Sequence, residues 1–549
     1  MIDYNTMQDG ELLISRLVDF ARTAHPHSTV STWTGEGVRE IDFPTLSADA
    51  SRLANALAGL GVGVHGCVGT FMWNNAEHAV VYGAVPSMGA VLHTINLRLS
   101  ADQAVYSINS AQDIVLIIDA SLGPLVSSYL PRTPTIEHVV VANGPVDSVQ
   151  VPAGVTVHSF ADLLTGQPDT YRWPAIDERS PAVVCYTSGT TGDPKGVVYS
   201  HRSIWLHSMA ICQPNAMNLS DRDSALAIVP MFHVMSWGLP YAAMISGMSL
   251  VMPDRFLQPE PLLRLMAKTR PTFAAAVPTI WQAVMVQLES APQDISHLRE
   301  VLVGGATVSP NIIRKFDEDF GVAIVHAWGM TETSPMGAVA RAPRNVTDPD
   351  EIFAYRCTQG KFSALVEARL TREDGAIVPH DGVSAGELEV RGPWVAGSYF
   401  SRDDGANIND GKFRDGWLRT GDVGTISGDG YLTIVDRTKD LIKTGGEWIS
   451  SVDLENKIMS HHGIREAAVI GVPDEQWDER PFVLFVARDT GTDAQALRRH
   501  LVDLVPKWQL PEKWAVADEI PKTSVGKFDK KLIRESYRSS EYAVIDVRG

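Results

Sequence analysis

The spacing of apolar residues predicts alternating helices and strands along much of the chain. In residues 46–60, leucine and alanine recur every three or four positions, which places them on one face of a helix. A short apolar run at 68–73 predicts a strand, and the small apolar residues of 77–88 predict a packed helix. Further strand-like runs lie at 90–94, 114–118, 139–141, 225–229, 249–252, 273–277 and 300–303. Such alternation is typical of α/β layers built on parallel strands.

The pattern changes near Gly386. Short alternating runs at 387–391 and 431–436, with Gly and Asp turns, predict a small β-barrel or antiparallel sheet. A separate α+β unit is predicted after Asp436, with helices at 452–459 and 493–505 and strands at 467–472 and 482–487. We therefore predict an N-terminal domain of stacked α/β subdomains plus a small β unit, residues 1–436, and a smaller α+β C-terminal domain, residues 437–549.

Length and composition agree with a multidomain soluble protein. The chain has 549 residues, of which 44% are hydrophobic and 20% are charged, so it is too long for a single core. Its four cysteines form no CxxC pair and stand at 67, 185, 212 and 357. This spacing argues against a structural zinc site and against a disulfide framework, and it fits a reducing compartment.

The charge pattern disfavours nucleic acid as a partner. The net charge is −18, and it is uneven: 18 basic and 19 acidic residues follow position 436, against 29 and 46 before it. The N-terminus has no basic segment before an apolar run, so we expect no signal peptide and a cytoplasmic location. The apolar stretch 239–253 is short for a membrane span and predicts a buried helix-turn-strand, which leaves peripheral membrane contact open.

A Gly/Ser/Thr-rich stretch is the first candidate for chemistry. Residues 186–201 read YTSGTTGDPKGVVYSH and follow the apolar run 182–185. A strand followed by a Gly-rich turn presents backbone N–H groups to phosphate, and hydroxyls and Lys195 add donors and positive charge. The alternative is a flexible surface loop. Because Pro194 precedes the lysine, the stretch is not a Walker A loop, and the sequence has no HRD, DFG or HExxH motif.

Five further stretches stand in a fixed order along the chain. They are GGA at 304–306, AWGMTET at 327–333, RTGDV at 419–423, DRTKDLIKTGGEWIS at 436–450 and PKTSVGK at 521–527. Together with YTSGTTGDPKG, they resemble the adenylate-forming superfamily of acyl-CoA synthetases, firefly luciferase and peptide-synthetase adenylation domains. The resemblance covers residues 40 to 535.

The resemblance implies that a carboxylate attacks the α-phosphate of ATP, and that a thiol then displaces AMP from the acyl-adenylate. The residues implied for the β- and γ-phosphates are Thr187, Ser188, Gly189, Thr190, Thr191, Gly192 and Lys195. Glu332 is implied as a Mg²⁺ ligand with Thr187 nearby, and Thr331 as a contact of the α-phosphate. Standing alone, Thr331 and Glu332 have a helix N-cap as their alternative interpretation.

The resemblance also implies contacts for the nucleoside. Asp422 is implied as acceptor for both ribose hydroxyls, although an aspartate between Gly and Val often lies in a turn. Trp328 stands where most relatives carry a tyrosine stacked on adenine, and an indole can stack in the same way. The implied ATP site also contains Gly304, Gly305, Ala306, Ala327, Gly329, Met330, Arg437, Lys439 and Lys443.

The acyl and CoA sites are implied by two other segments. His233, Val234 and Trp237 correspond to the acyl pocket, with a buried core histidine and tryptophan as the alternative. Gly445, Gly446 and Trp448 resemble the fatty-acyl branch, in which this tryptophan closes the acyl tunnel until ATP binds.

The C-terminal domain is implied to rotate between the two steps about Lys439, bringing Lys527 to the attacking carboxylate for the first. Without the resemblance, Lys527 would be an exposed lysine near a basic terminus.

The predicted function is that of an ATP-dependent fatty acyl-CoA synthetase, an acid–thiol ligase. Its predicted substrates and cofactors are a fatty or other carboxylic acid, ATP, Mg²⁺ and CoA, and relatives with GGEWIS imply a homodimer. Two alternatives stay open, namely an acyl-AMP ligase that loads a carrier protein and a non-catalytic acyl- or nucleotide-binding regulator. The sequence leaves the length of the acyl chain open.

Overall fold

The computed structural model describes residues 5–187, 193–400, 411–445, 447–488, 491–523 and 527–547. The strands of these residues form three sheets, of fifteen, seven and six strands. In the seven-stranded sheet and the parallel half of the largest sheet, helices alternate with strands along the chain, in the manner of α/β domains. This architecture confirms the α/β fold class with a smaller C-terminal α+β part.

The seven-stranded sheet has the order β7-β6-β5-β3-β4-β8-β9. Its strands are parallel except β9, which pairs antiparallel with β8. The strands are β3 (Cys67–Phe71), β4 (Val91–Thr94), β5 (Asp113–Asp119), β6 (His138–Ala142), β7 (Thr156–Ser159), β8 (Pro181–Thr187) and β9 (Lys195–Ser200).

The largest sheet joins a parallel half to an antiparallel half through one strand, β14 (Ala323–Gly329). Residues 323–326 of β14 pair in parallel with β13, and residues 327–329 pair antiparallel with β15. The parallel half, with β2 antiparallel at its edge, contains β1 (Thr29–Trp33), β2 (Val38–Asp42), β10 (Ser224–Ala227), β11 (Ser249–Met252), β12 (Phe273–Ala276) and β13 (Glu300–Val303).

The antiparallel half begins at Met336, well before the change of pattern at Gly386, and is continuous with the parallel half. Its strands are β15 (Met336–Val339), β16 (Gly360–Phe362), β17 (Glu367–Thr371), β18 (Ile377–Val378), β19 (Gly386–Arg391), β20 (Phe413–Arg414), β21 (Trp417–Ile426) and β22 (Tyr431–Arg437). The sequence pattern did not predict this early start, because residues 336–339 are all buried and so lack the alternation of apolar and polar residues that indicates a half-exposed strand.

The α-helices pack on these sheets and on the C-terminal sheet. They are α1 (Ile14–Ala24), α2 (Phe43–Gly59), α3 (Ala76–Ser87), α4 (Ala101–Ala111), α5 (Gly123–Ser127), α6 (Phe160–Leu164), α7 (His201–Cys212), α8 (Leu239–Ser246), α9 (Pro259–Thr269), α10 (Pro278–Ser290), α11 (Pro310–Phe320), α12 (Pro349–Cys357), α13 (Ser451–Met459), α14 (Ala494–Leu501) and α15 (Lys530–Arg538). Short 3₁₀ segments lie at Ala120–Leu122, Leu130–Arg132, Val146–Ser148, Val234–Gly238, Thr331–Thr333 and Lys507–Gln509.

Local capping explains where helix α2 begins. The Asp42 carboxylate accepts a hydrogen bond from the Thr45 backbone N–H at 2.8 Å, and Pro44 occupies the first turn, where no N–H is needed. The helix therefore starts at Phe43, ahead of the apolar stripe that predicts it from residue 46.

The C-terminal residues form the six-stranded sheet. Its strands are β23 (Ile442–Thr444), β24 (Glu447–Ile449), β25 (Ile464–Asp474), β26 (Asp478–Ala487), β27 (Lys513–Val516) and β28 (Ile545–Asp546). The Ser450 hydroxyl donates to the Val435 carbonyl at 2.6 Å, and the Ser451 N–H donates to Asp436 at the same distance. These bonds connect the last strand of the largest sheet to the C-terminal unit.

The apolar stretch 239–253 is buried inside the protein. It forms α8 and β11, which are joined at Gly247 with φ +76°. Among the residues that the structure describes, no helix has both the length and the apolar character needed to cross a membrane.

Candidate active site

A cavity of about 420 Å³ opens at the carboxyl ends of strands from both N-terminal sheets. Open α/β sheets bind ligands at this edge, because loops and helix starts converge there. Residues from most predicted motifs line it, namely Thr187, Lys195, His233, Val234, Trp237, Gly304, Gly305, Ala327, Trp328, Gly329, Met330, Thr331, Glu332, Asp422, Arg437, Lys439 and Lys527. The fold thus brings together side chains that stand as far apart in sequence as Thr187 and Lys527.

A second cavity, of about 280 Å³, adjoins the first and shares Trp328, Asp422 and Lys527 with it. Ala306 and His326 line this second cavity. Burial lowers the pKa of His326 to about 4, so its imidazole is neutral at pH 7 and can both donate and accept a hydrogen bond. The sequence could have identified His326, because it directly precedes the AWGMTET stretch.

The phosphate-loop candidate is held by a β-hairpin. Thr187 and Lys195 face each other across β8 and β9, so both ends of the Gly-rich turn reach the cavity. The Tyr199 hydroxyl donates to the Thr331 carbonyl at 2.8 Å, which ties this hairpin to the Thr331–Thr333 turn. Residues 188–192, and with them five predicted phosphate contacts, lie outside the described residues.

Glu332 is buried, with 6% of its surface exposed. The Tyr399 hydroxyl donates to its Oε1, and the Ala396 N–H donates to its carbonyl at 2.7 Å. The turn that begins here is capped by the Thr333 hydroxyl, which accepts from the Met330 N–H at 2.9 Å. A helix N-cap therefore does not explain Glu332, whose carboxylate faces the cavity.

Sequence reasoning missed Tyr399. It lies outside every motif, and only the packing of residues 394–400 against the Thr331–Thr333 turn brings it to Glu332. Its ring also lies 5.2 Å from the Lys195 ammonium, within the range of a cation–π contact. Tyr399 therefore touches both charged groups at the phosphate end of the cavity.

Asp422 lies in strand β21 and not in a turn. It pairs with Arg437 across β22, and the Arg437 Nε lies 3.2 Å from its Oδ1. The Trp328 indole N–H donates to its Oδ2 at 2.8 Å. Both oxygens of this buried carboxylate thus have an ordered partner at the boundary between the two cavities.

Lys527 reaches the same place from the C-terminal unit. It is partly buried, and a side-chain Cβ added at Gly305 would lie 3.8 Å from its Cε. Removal from water and the nearby Arg437 and Lys439 lower its pKa to about 8, against the opposing effect of Asp422 and Glu332. The interpretation as an exposed terminal lysine does not agree with this placement.

A left-handed turn shapes the wall of the cavity around Trp237. Residues 234–237 have φ between +41° and +57°, and Gly238 follows at +81°. The Ser236 hydroxyl stabilises this turn by donating to the Val229 carbonyl at 2.7 Å. The turn places Trp237 against Gly304, where an added Cβ would lie 3.4 Å from the indole and 3.0 Å from the Ala327 carbonyl. Glycine at 304 therefore keeps this wall open.

His233 lies beside the same wall and is partly buried. Burial and the positive charges of Lys527 and Arg98 lower its pKa to about 4, so it is neutral at pH 7. It can then act as a hydrogen-bonding wall of the cavity rather than as a cation.

Three predicted residues do not line either cavity. Lys443 and Trp448 face each other across the β23–β24 hairpin, with the ammonium 4.7 Å from the indole ring, and 43% of Trp448 is exposed. Gly445 lies in the turn of the same hairpin, and Gly446 lies outside the described residues. The family resemblance assigned these residues to the site, but β23 belongs to the C-terminal sheet and leads away from it.

Comparison with known protein families identifies the family to which the chain belongs. Residues 19–400 match the family described as AMP-binding enzyme, and residues 453–527 match the AMP-binding enzyme C-terminal domain. The chain belongs to the AMP-binding, adenylate-forming enzyme family. The cavity that Thr187, Glu332, Asp422 and Lys527 share is its candidate active site.

Relatives and solved structures narrow the type of enzyme. The chain is 40% identical over 532 residues to 3-methylmercaptopropionyl-CoA ligase of Ruegeria pomeroyi, covering 96% of this chain and 97% of the relative. It is 39% identical to a long-chain-fatty-acid–CoA ligase of Thermus thermophilus, covering 97% of both.

A crystal structure of the anthranilate CoA ligase AuaEII with anthranoyl-AMP superposes with a TM-score of 0.85 at 25% identity, covering 96% of this chain and 98% of that one. This member of the adenylate-forming family is thus an acid–thiol ligase of the acyl-CoA synthetase type, which uses ATP, a carboxylic acid and CoA.

Proposed function

We propose that this enzyme is a fatty acyl-CoA synthetase that couples a carboxylic acid with an apolar chain to CoA through an acyl-adenylate. The observation that carries the proposal is one cavity lined by both charged and apolar side chains. Lys195, Glu332 and Lys527 form its charged lining, and Trp237 and Leu302 are part of its apolar lining. This distribution suits a substrate with an anionic head and a hydrocarbon tail.

The charged lining of the cavity suits the first half-reaction. A carboxylate oxygen attacks the α-phosphorus of ATP, the bond to the bridging oxygen of pyrophosphate breaks, and acyl-AMP forms. The Lys527 ammonium, whose pKa the charges of Glu332 and Asp422 influence, would neutralise charge on both the attacking carboxylate and the α-phosphate. Lys195 would hold the departing phosphates. In the second half-reaction, the thiolate of CoA attacks the acyl carbon and AMP leaves.

Mg²⁺ fits the Glu332 end of the cavity. Glu332 supplies one buried carboxylate, and Thr187 lines the same cavity with a hydroxyl. Within the described part of the chain, no group of three or more His, Cys, Asp or Glu side chains could hold a metal. Mg²⁺ is commonly bound by one or two carboxylates together with substrate phosphates, and there it would neutralise phosphate charge.

The nucleoside is proposed to lie across the boundary of the two cavities. Ala306 and His326 would accommodate the base in the second cavity, with Trp328 beside it and Asp422 on the ribose. Neutral His326 can offer one ring nitrogen, Nδ1, to a purine edge.

A panel of carboxylic acids tests the proposal and determines which lengths of acyl chain the enzyme accepts. Pyrophosphate release would be followed with straight-chain acids from C3 to C18 and with 3-methylmercaptopropionate, each with and without CoA. We expect release with acids that have apolar chains, and multiple turnovers only with CoA. Turnover that requires a carrier protein with a free thiol in place of CoA would favour the carrier-loading alternative, and binding of ATP without pyrophosphate release would favour a regulator.

The proposal includes a homodimer, as relatives with GGEWIS imply, and a cytoplasmic location, which the unpaired cysteine spacing supports. Sedimentation of the purified protein tests this assembly, and a monomer at micromolar concentration would contradict it.

The lowered pKa of Lys527 predicts an alkaline limit to the first half-reaction. Its ammonium is present below pH 8 and lost above it, so kcat/KM for acyl-AMP formation should fall about tenfold per pH unit above pH 8. Replacing Lys527 with arginine keeps the charge at high pH and should remove this alkaline limb of the pH profile, even if the overall rate is lower. An unchanged alkaline limb in Lys527→Arg would assign the limb to another group.

A further inference from the structure

We propose that Trp328 is a positioning residue that orients the Asp422 carboxylate toward the sugar and thereby makes the enzyme selective for ribonucleotides. The inference rests on the proposed function of Asp422 as the ribose acceptor. Its observation is the hydrogen bond from the indole Nε1 to Asp422 Oδ2, 2.8 Å long and buried. This contact gives Trp328 a task beyond stacking on a base.

The carboxylate keeps the capacity to bind a diol while it is held. An ionised carboxylate has two oxygens with about four acceptor sites in all. Trp328 uses one site on Oδ2, and the Arg437 guanidinium forms an ion pair with Oδ1, with Nε 3.2 Å away. At least one acceptor site therefore remains on each oxygen, and the hydrogen bond and the ion pair together orient the group.

Of these two donors, the indole is the rigid one. Arg437 ends strand β22 at the connection to the C-terminal unit, and 47% of its side chain is exposed. The Trp328 ring is buried and lies directly over Gly337, where an added Cβ would be 2.3 Å from the ring. The Phe362 ring packs against it nearly edge-on, with ring centroids 6.0 Å apart. The indole cannot turn away without displacing these neighbours.

The backbone explains why the indole points at Asp422. The pairing of β14 with β15 shifts register between Trp328 and Gly329, so this tryptophan sits at a bulge rather than in a regular strand. Bulges re-aim side chains near functional sites. The two partners are 94 residues apart in sequence, and the indole N–H connects β14 to β21 across the cavity.

The proposal predicts a specific loss in Trp328→Phe, which keeps an aromatic ring but removes the N–H. A carboxylate that is free to rotate would bind the two hydroxyls of a ribose less tightly. A deoxyribose offers only one hydroxyl, so its binding would be weakened less. The ratio of kcat/KM for ATP to that for 2′-deoxyATP should fall about tenfold, as expected for one hydrogen bond to a charged group. Most of the change should appear in KM for ATP, because the contact orients bound substrate.

The experiment measures pyrophosphate release with ATP, 2′-deoxyATP and 3′-deoxyATP at saturating acid. Because each selectivity is a ratio within one preparation, incomplete folding of a variant does not change it. Trp514→Phe is the matched control, since the buried Trp514 indole donates to the Pro511 carbonyl at 3.2 Å in the C-terminal unit. Its selectivity should equal that of the wild type. Trp328→Tyr, whose hydroxyl lies elsewhere, should lose selectivity as Trp328→Phe does.

A double-variant comparison completes the test. In an Asp422→Ala background, Trp328→Phe should not lower the ratio further, because the group that it orients is gone. Equal losses for ATP and both deoxynucleotides in Trp328→Phe would overturn the proposal and leave a stacking role only. Unchanged selectivity would overturn it as well. If the wild type releases no pyrophosphate with any acid, the proposed function fails, and the same ratios measured as Kd values by calorimetry still decide the role of Trp328.

Discussion

Replacing Lys527 with alanine should lower the rate of acyl-AMP formation by roughly two orders of magnitude or more, as for loss of one preorganised electrostatic contact. The structure places this ammonium beside Gly305 and close enough to Asp422 and Glu332 for their charges to act on its pKa. Charge that develops between the carboxylate and the α-phosphate would lose the Lys527 ammonium, which lines the first cavity. The measurement is single-turnover formation of acyl-AMP from acid and ATP.

The same variant separates the two half-reactions. Given synthetic acyl-AMP and CoA, Lys527→Ala should still form thioester at a nearly wild-type rate, because the lysine is assigned to the first step alone. Lys522→Ala is the matched control, since Lys522 lies in the same loop but pairs with Glu466 at 2.6 Å away from the cavity. Equal damage to both half-reactions, or to neither, would contradict the role of Lys527.

Replacing Glu332 with glutamine should abolish adenylation and leave the fold intact. Glutamine has nearly the same shape and can still accept from the Tyr399 hydroxyl, so packing is preserved. It removes the negative charge that a Mg²⁺ ion beside the phosphates requires. ATP–pyrophosphate exchange should therefore be lost even at saturating Mg²⁺.

The matched control is Glu389→Gln. Glu389 is also buried, with Arg369 at 2.6 Å, but it lies in the antiparallel half of the largest sheet and lines neither cavity. This variant should lose some stability in urea unfolding and keep exchange activity. Near-normal exchange in Glu332→Gln would refute the assignment of Glu332, and unfolding of that variant would show up as a lost urea transition.

The amino-acid sequence by itself determined the layered α/β fold, the family and most of the predicted residues that line the candidate site. Apolar spacing at 46–60 and apolar runs such as 300–303 report local structure, since helix and strand periodicity is set within a few residues. The phosphate loop and the Thr331–Glu332 pair were recognisable for the same reason. Each is a short stretch of consecutive residues, and the residue types alone indicate its chemistry.

Only the tertiary structure decided which side chains meet. Tyr399 reaches Glu332 from 67 positions away, and Trp328 reaches Asp422 from 94, through strand pairings that no local spacing encodes. Conversely, Lys443 and Trp448 stand close to Arg437 in sequence, yet their hairpin joins another sheet and leads them out of the cavity. Contacts of this kind depend on register and packing across the whole domain, which is why neighbouring positions in the sequence can separate and distant ones can form a single site.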